Sequence, residues 1–103
     1  MASWVNAGPA DSLAPGQVKV VRAGRRQLAV CNVDSTFYCI ADVCTHDGAP
    51  LDSGELDGVE IECPRHGARF DVTTGRATCL PAITPVQTYP VKVEDGEIHI
   101  QVD

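Results

Sequence analysis

Two short motifs constrain this chain more than anything else in it. Cys44-Thr45-His46 and, sixteen intervening residues later, Cys63-Pro64-Arg65-His66-Gly67 each place a thiol and an imidazole close enough in sequence to share one loop. With five cysteines and three histidines in 103 residues, chance explains the two spacings together poorly. The first basic residue is Lys19, and residues 1–18 lack the apolar run of a secretion signal. No stretch approaches the roughly 18 apolar residues of a membrane span. The expected compartment is therefore the cytoplasm, where thiols stay reduced. There an odd number of cysteines reads as metal ligands and buried thiols, not as a disulfide framework.

Ligand chemistry narrows the metal. Thiolates suit zinc and iron–sulfur clusters, whereas imidazole suits zinc, copper and iron. A structural zinc site is one candidate, although zinc modules usually pair Cys with Cys and His with His at short spacing. Here each loop supplies one of each. Such a set also fits a cluster of two chemically different irons, to each of which both loops give one ligand.

Around the motifs the chain reads as strands. Val18 to Arg22 alternates after the Pro15-Gly16 turn signal, Ala29 to Val33 follows, and Asp34-Ser35 turns the chain into Thr36 to Ile40. Asp57-Gly58 separates a short strand ending at Leu56 from Val59 to Glu62. Val91 to Glu94, Asp95-Gly96 and Glu97 to Val102 form the clearest hairpin, because an Asp-Gly pair accepts the positive φ angles of a tight turn. No window of eleven or more residues carries a 3.6 period, and no internal repeat or linker is evident. The expected fold is an antiparallel all-β sandwich or small barrel in one domain, 1–103, with a long, sparsely structured stretch from Asp42 to Pro85. At 44% hydrophobic and 21% charged residues the composition is that of a globular protein. The net charge of −6 disfavours nucleic acid and anionic membrane as partners, since both reward clustered Lys and Arg.

The two ligand loops resemble the Rieske iron–sulfur signature, and the whole chain resembles the small Rieske ferredoxins of bacterial aromatic-ring-hydroxylating dioxygenases. Gly48-Ala49-Pro50-Leu51, Phe70-Asp71-Val72 with Thr74-Gly75, and Tyr89 to Glu94 carry the resemblance beyond the loops. It implies a Rieske fold: an antiparallel β-sandwich base built from both ends of the chain and a small cluster-binding subdomain over about 42–81. It further implies one [2Fe-2S] cluster, with Cys44 and Cys63 on a buried iron and His46 and His66, through Nδ1, on an outer one. The implied role is that of a monomeric one-electron carrier, not an enzyme, in aromatic hydrocarbon catabolism. Its transient partners are a flavin-containing ferredoxin reductase and a terminal oxygenase. The alternative is a small Rieske-like subunit of an enzyme complex such as assimilatory nitrite reductase.

Other residues carry weaker expectations. Cys31 and Cys39 read as small buried hydrophobes that face each other only if their hairpin loop holds three residues. Cys79 lies beside Leu80-Pro81, a third loop that shields the cluster in the resembled family. His99 reads as an exposed bystander and Trp4 as a packing residue at the start of the first strand. Seven acids between Asp42 and Glu62 (Asp42, Asp47, Asp52, Glu55, Asp57, Glu60, Glu62) read as solvated loop residues, with Arg65, Arg69 and Arg76 supplying positive charge to the second half. The high-potential Rieske proteins of respiratory complexes place a disulfide between the loops, a serine after the second His-Gly and a tyrosine two residues later. This chain has Ala49 or its neighbour and Arg65 at the disulfide positions, and Ala68 and Phe70 at the hydroxyl positions.

Fewer donors to sulfur stabilise a reduced cluster less. Protein-film voltammetry is therefore expected to give a midpoint in the lower half of the roughly −150 to +300 mV Rieske range. Acids such as Asp47 near the imidazoles in sequence favour their protonated form, so the midpoint should change little between about pH 6 and 8.

Overall fold

A computed structural model of the chain describes residues 3–46 and 48–102; Asp47, one of the acids assigned to the first loop, lies outside them. Eleven strands are described: β1 Ser3–Pro9, β2 Val18–Ala23, β3 Arg26–Val33, β4 Thr36–Ala41, β5 Leu56–Asp57, β6 Glu60–Glu62, β7 Arg69–Asp71, β8 Ala77–Cys79, β9 Thr88–Tyr89, β10 Val91–Glu94 and β11 Glu97–Val102. The described helical structure is one 3-10 turn, Ala10–Ser12. No helix among the described residues is long and apolar enough to cross a membrane.

The strands form three antiparallel sheets in the orders β1-β11-β10, β2-β3-β4-β9 and β5-β6-β7-β8. The first joins the two ends of the chain; the third is the small sheet that carries the second Cys/His motif between β6 and β7. The middle sheet lies between two cores and serves both. Because side chains alternate along a strand, Ala29 and Cys31 of β3 join Leu51, Ile61 and Phe70 in one core. Leu28 and Val30 join Ile98 and Ile100 in the other. Leu28 through Cys31 are all fully buried. A continuous apolar run fits here, where a one-faced strand needs alternation.

Two turns follow the sequence closely. Asp34 and Ser35 (φ 50 and 73) and Asp95 and Gly96 (φ 53 and 76) make two-residue loops with positive φ at both positions, a twist that matches the flanking strands. The two-residue loop after β3 sets Cys39 opposite Val30 and Cys31 opposite Tyr38, so the two cysteines sit on opposite faces and in different cores.

Elsewhere the structure departs from expectation. Leu56 pairs with Ile61 and Asp57 with Glu60, so the turn is Gly58-Val59 instead of Asp57-Gly58. β1 starts where the strand at Trp4 was expected, but its pairing with β11 slips between Asn6 and Gly8, which breaks the alternation along the rest of it. Trp4 is 43% exposed and covered by Lys92, whose Nζ lies 4.3 Å from the indole centroid. His99 is half-buried between Asn6 of β1 and Lys92 of β10, not exposed.

The core that holds Ile98 lies on the opposite face of the middle sheet from the core that holds Cys44 and Cys63. Ile98→Ala should cost about 2–5 kcal/mol in denaturant unfolding while leaving the visible absorption of the folded protein unchanged.

Candidate metal centre

The first motif leaves the end of β4; the second is the connection between β6 and β7. Although nothing in the sequence was read as a repeat, the two loops close identically. The Cys44 N–H donates to the Ala49 carbonyl at 2.7 Å, and the Gly48 N–H donates to the Cys44 carbonyl at 2.7 Å. Nineteen residues on, Cys63 N–H donates to Ala68 at 2.7 Å and Gly67 N–H to Cys63 at 3.0 Å. Gly48 (φ 78) and Gly67 (φ 77) both take the left-handed conformation that lets the chain turn back. The signal was present as Cys-x-x-x-Gly-Ala twice, masked by histidines at different offsets, the second residue after Cys44 and the third after Cys63.

This closure turns the cysteines inward and the histidines outward. Cys44 and Cys63 are each 1% exposed, whereas His46 and His66 are exposed. The two imidazole rings lie 5.4 Å apart, centroid to centroid, with their planes at 90°. Ala68 and Phe70, in the same core as Cys44 and Cys63, are fully buried. The third segment closes over one side: Thr45 Oγ1 donates to the Thr84 carbonyl at 2.6 Å, and Leu80 and Ile83 in that segment are 73% and 81% exposed.

Donor chemistry and placement together test what this site holds. A single zinc needs its four ligands converging at about 2.0–2.3 Å from one point. Among the described residues no three His, Cys, Asp or Glu side chains converge in that way. Two thiols in a dry interior and two imidazoles at a wet edge fit a group with two metal positions, one soft-liganded and buried, the other imidazole-liganded and near solvent.

The charges differ from the sequence picture. Arg69 is not free to make a positive face: its guanidinium meets Glu62 at 2.9 Å, Glu60 at 3.2 Å and Asp57 at 3.5 Å. Asp42 is not a solvated loop residue but a buried one, 6% exposed. Its carboxylate holds Asp52's carboxyl above the usual range, first through a hydrogen bond between the side chains, then through burial and its own charge.

The remaining cysteines fall outside the site. Cys31 and Cys39 are buried and their thiols are pushed up to about 12, mainly by burial, with Asp42's charge adding for Cys31 and Cys31 adding for Cys39. Cys79 is exposed in β8. Native holoprotein treated with iodoacetamide at pH 8 should therefore take one label, at Cys79. Mass spectrometry of Cys79→Ser should find none, and labelling of Cys31 or Cys39 would show an open core.

The chain is similar to known proteins in sequence and in fold. The Rieske [2Fe-2S] domain model matches residues 3–90. The ferredoxin component of the naphthalene 1,2-dioxygenase/salicylate 5-hydroxylase systems of Ralstonia sp. is 37% identical over 98% of this chain and 97% of its own. Among solved structures, the Sphingomonas yanoikuyae B1 ferredoxin superposes with a TM-score of 0.92 at 37% identity, covering 98% of this chain and 100% of that one. A chain from the complex of reduced oxygenase and oxidised ferredoxin in carbazole 1,9a-dioxygenase gives 0.91 at 40% identity, covering 94% and 91%.

Proposed function

Since the chain belongs to the Rieske [2Fe-2S] domain family, we propose that Cys44, Cys63, His46 and His66 hold its one cluster and that the protein is the ferredoxin component of an aromatic-ring dioxygenase system. The observation that carries the ligand assignment is the division of the four side chains, thiols buried and imidazoles exposed, by two loops of the same closure. When bound, the cluster supplies a one-electron couple, in a class that spans roughly −150 to +300 mV.

The chain's own residues do the rest. Cys44 and Cys63 sit in a dry interior that excludes water from their side of the site. His46 and His66 present the edge through which a partner's redox centre is reached. All four ligand positions belong to the protein, which leaves no open coordination site for substrate; the protein carries electrons and is not itself the oxygenase. The terminal oxygenase is the partner that receives the electron, and a flavin-containing reductase is proposed as the donor.

Leu80 and Ile83 extend the exposed edge with apolar surface, because the Thr45–Thr84 hydrogen bond ties their segment to the residue beside His46. Such apolar surface beside the imidazoles, with the exposed Arg65 near it, suits a small interface with an apolar centre and a charged rim. We also read residues 1–103 as one domain, with a cluster-binding unit of about 42–81 on a base of N- and C-terminal strands, and the protein as a cytoplasmic monomer.

Purified protein should be red-brown with about two irons per chain, and His66→Ala or Cys63→Ala should lose the cluster with much of the folding stability. Colourless protein with stoichiometric zinc overturns the assignment. With the cluster intact, Ile83→Asp should slow electron transfer to the oxygenase at least several-fold in stopped flow. Arg65→Glu should alter its salt dependence. Wild-type rates in both variants would place docking elsewhere.

A further inference from the structure

A buried carboxylate at the foot of the first ligand loop belongs to neither pair of proposed ligands. Asp42 follows β4 and is fixed to β3 by two bonds to one residue. Its N–H donates to the Gln27 carbonyl at 2.9 Å, and Gln27 Nε2 donates to Asp42 Oδ2 at 2.7 Å. Its other oxygen reaches across the loop: Oδ1 accepts the N–H of Leu51 at 2.7 Å and of Asp52 at 2.8 Å. One side chain thus closes the chain from residue 42 to residue 52, around Cys44 and His46. The second loop is held in another way. Glu62 and Arg69, paired across β6 and β7, close it with an ion pair at the surface, where the Arg69 side chain is 33% exposed.

We propose that Asp42 is the positioning residue of the first ligand loop, anchoring it to β3, and that its fixed negative charge lowers the reduction potential of the cluster held there. This inference rests on the ligand set proposed above.

Two physical requirements meet in this side chain. The Leu51 amide is buried, and a buried N–H without an acceptor is costly. Asp42 satisfies it while Gln27 holds the carboxylate on a strand buried on both faces, so loop and middle sheet move together. Gln27 is neutral, which leaves the negative charge uncompensated by its own clasp. The Asp42 and Cys44 Cα atoms lie within about 7 Å of each other along the chain. Two unit charges about 10 Å apart at an effective dielectric near 20 shift an equilibrium by about tenfold. Adding an electron close to Asp42 is disfavoured on that scale.

Asp42→Asn separates the two roles. The asparagine Oδ1 still accepts both loop N–H groups, and Gln27 can turn its amide to present oxygen to the new NH2. The variant should load iron as wild type does, with the same visible spectrum. At the wild-type midpoint its ratio of reduced to oxidised cluster should rise about tenfold, a midpoint about 59 mV higher. Glu94→Gln removes the same formal charge from exposed β10 of the base sheet and should leave the midpoint unchanged. Asp42→Ala removes the acceptor as well and should lose iron to a chelator several-fold faster than wild type. An Asp42→Asn midpoint equal to wild type overturns the proposal, as does an Asp42→Ala protein that keeps its iron equally long. Failure of Asp42→Asn to load would also overturn it, since the charge would then serve assembly and not the potential. Iron-free wild-type protein would instead remove the ligand set itself, and the iron assay tells the two failures apart.

Discussion

The burial of β3 on both faces is the constraint on which the rest of the structure depends. A chain of 103 residues has little interior to divide, yet this one supports a base sheet on one side of β3 and a metal-binding sheet on the other. Leu28 and Val30 hold the first; Ala29 and Cys31 hold the second. The residue sizes follow from that position. Ala29 and Cys31 are small on the side where Phe70 and Leu51 bring bulk, while Leu28 and Val30 are larger on the side shared with Ile98 and Ile100. A polar residue at any of the four would leave an unsatisfied group in one core or the other.

On that strand the two ligand loops become a matched pair. Equal closure from Cys to Ala, five residues apart, gives both loops the same curvature, so the cysteines enter the interior alike. The histidines stand at offsets that differ by one residue, and their rings are set edge to face, 5.4 Å apart. The different clasps at the loop feet fit their surroundings. The first loop starts beside the two-faced sheet, where a neutral amide and buried N–H groups can hold a carboxylate. The second starts from a three-residue strand pair near solvent, where an arginine and acids pair at small net gain.

Much of this was legible because it depends on local chemistry. The Asp34-Ser35 and Asp95-Gly96 turns and the strands on either side of them follow from spacing and from residues that tolerate positive φ. What escaped depends on neighbours far off in sequence. The strand at Trp4 was expected, but its full run from Ser3 to Pro9 depends on the edge that β11 offers, and its bulge breaks the alternation that would have marked its extent. The turn at Gly58-Val59 was misplaced by one residue because pairing of Leu56 with Ile61, a contact made from the core, outweighed the local preference of Asp57-Gly58. Asp42 read as a solvated acid because its three partners, Gln27, Leu51 and Asp52, are drawn together only by the folded sheet. Arg69 likewise read as free charge, although strand pairing sets Glu62 directly opposite it.

The same closure bears on the electronic character of the site. An amide hydrogen can serve a carbonyl within the loop or an electron-rich sulfur, but not both at full strength. The N–H groups of Cys44, Gly48, Cys63 and Gly67 are all committed to loop carbonyls at 2.7–3.0 Å. Two positions that carry hydroxyl donors in the high-potential proteins are here Ala68 and Phe70, both fully buried and neither able to donate from its side chain. Two consequences of sequence thus act in one direction. The loops gain rigidity from bonds that withhold four amides from sulfur, and the packing beneath them is apolar where a hydroxyl would withdraw electron density. A buried carboxylate at the foot of the first loop adds a third effect of the same sign. All three effects favour the oxidised over the reduced cluster, the direction that suits a carrier that must hand its electron on.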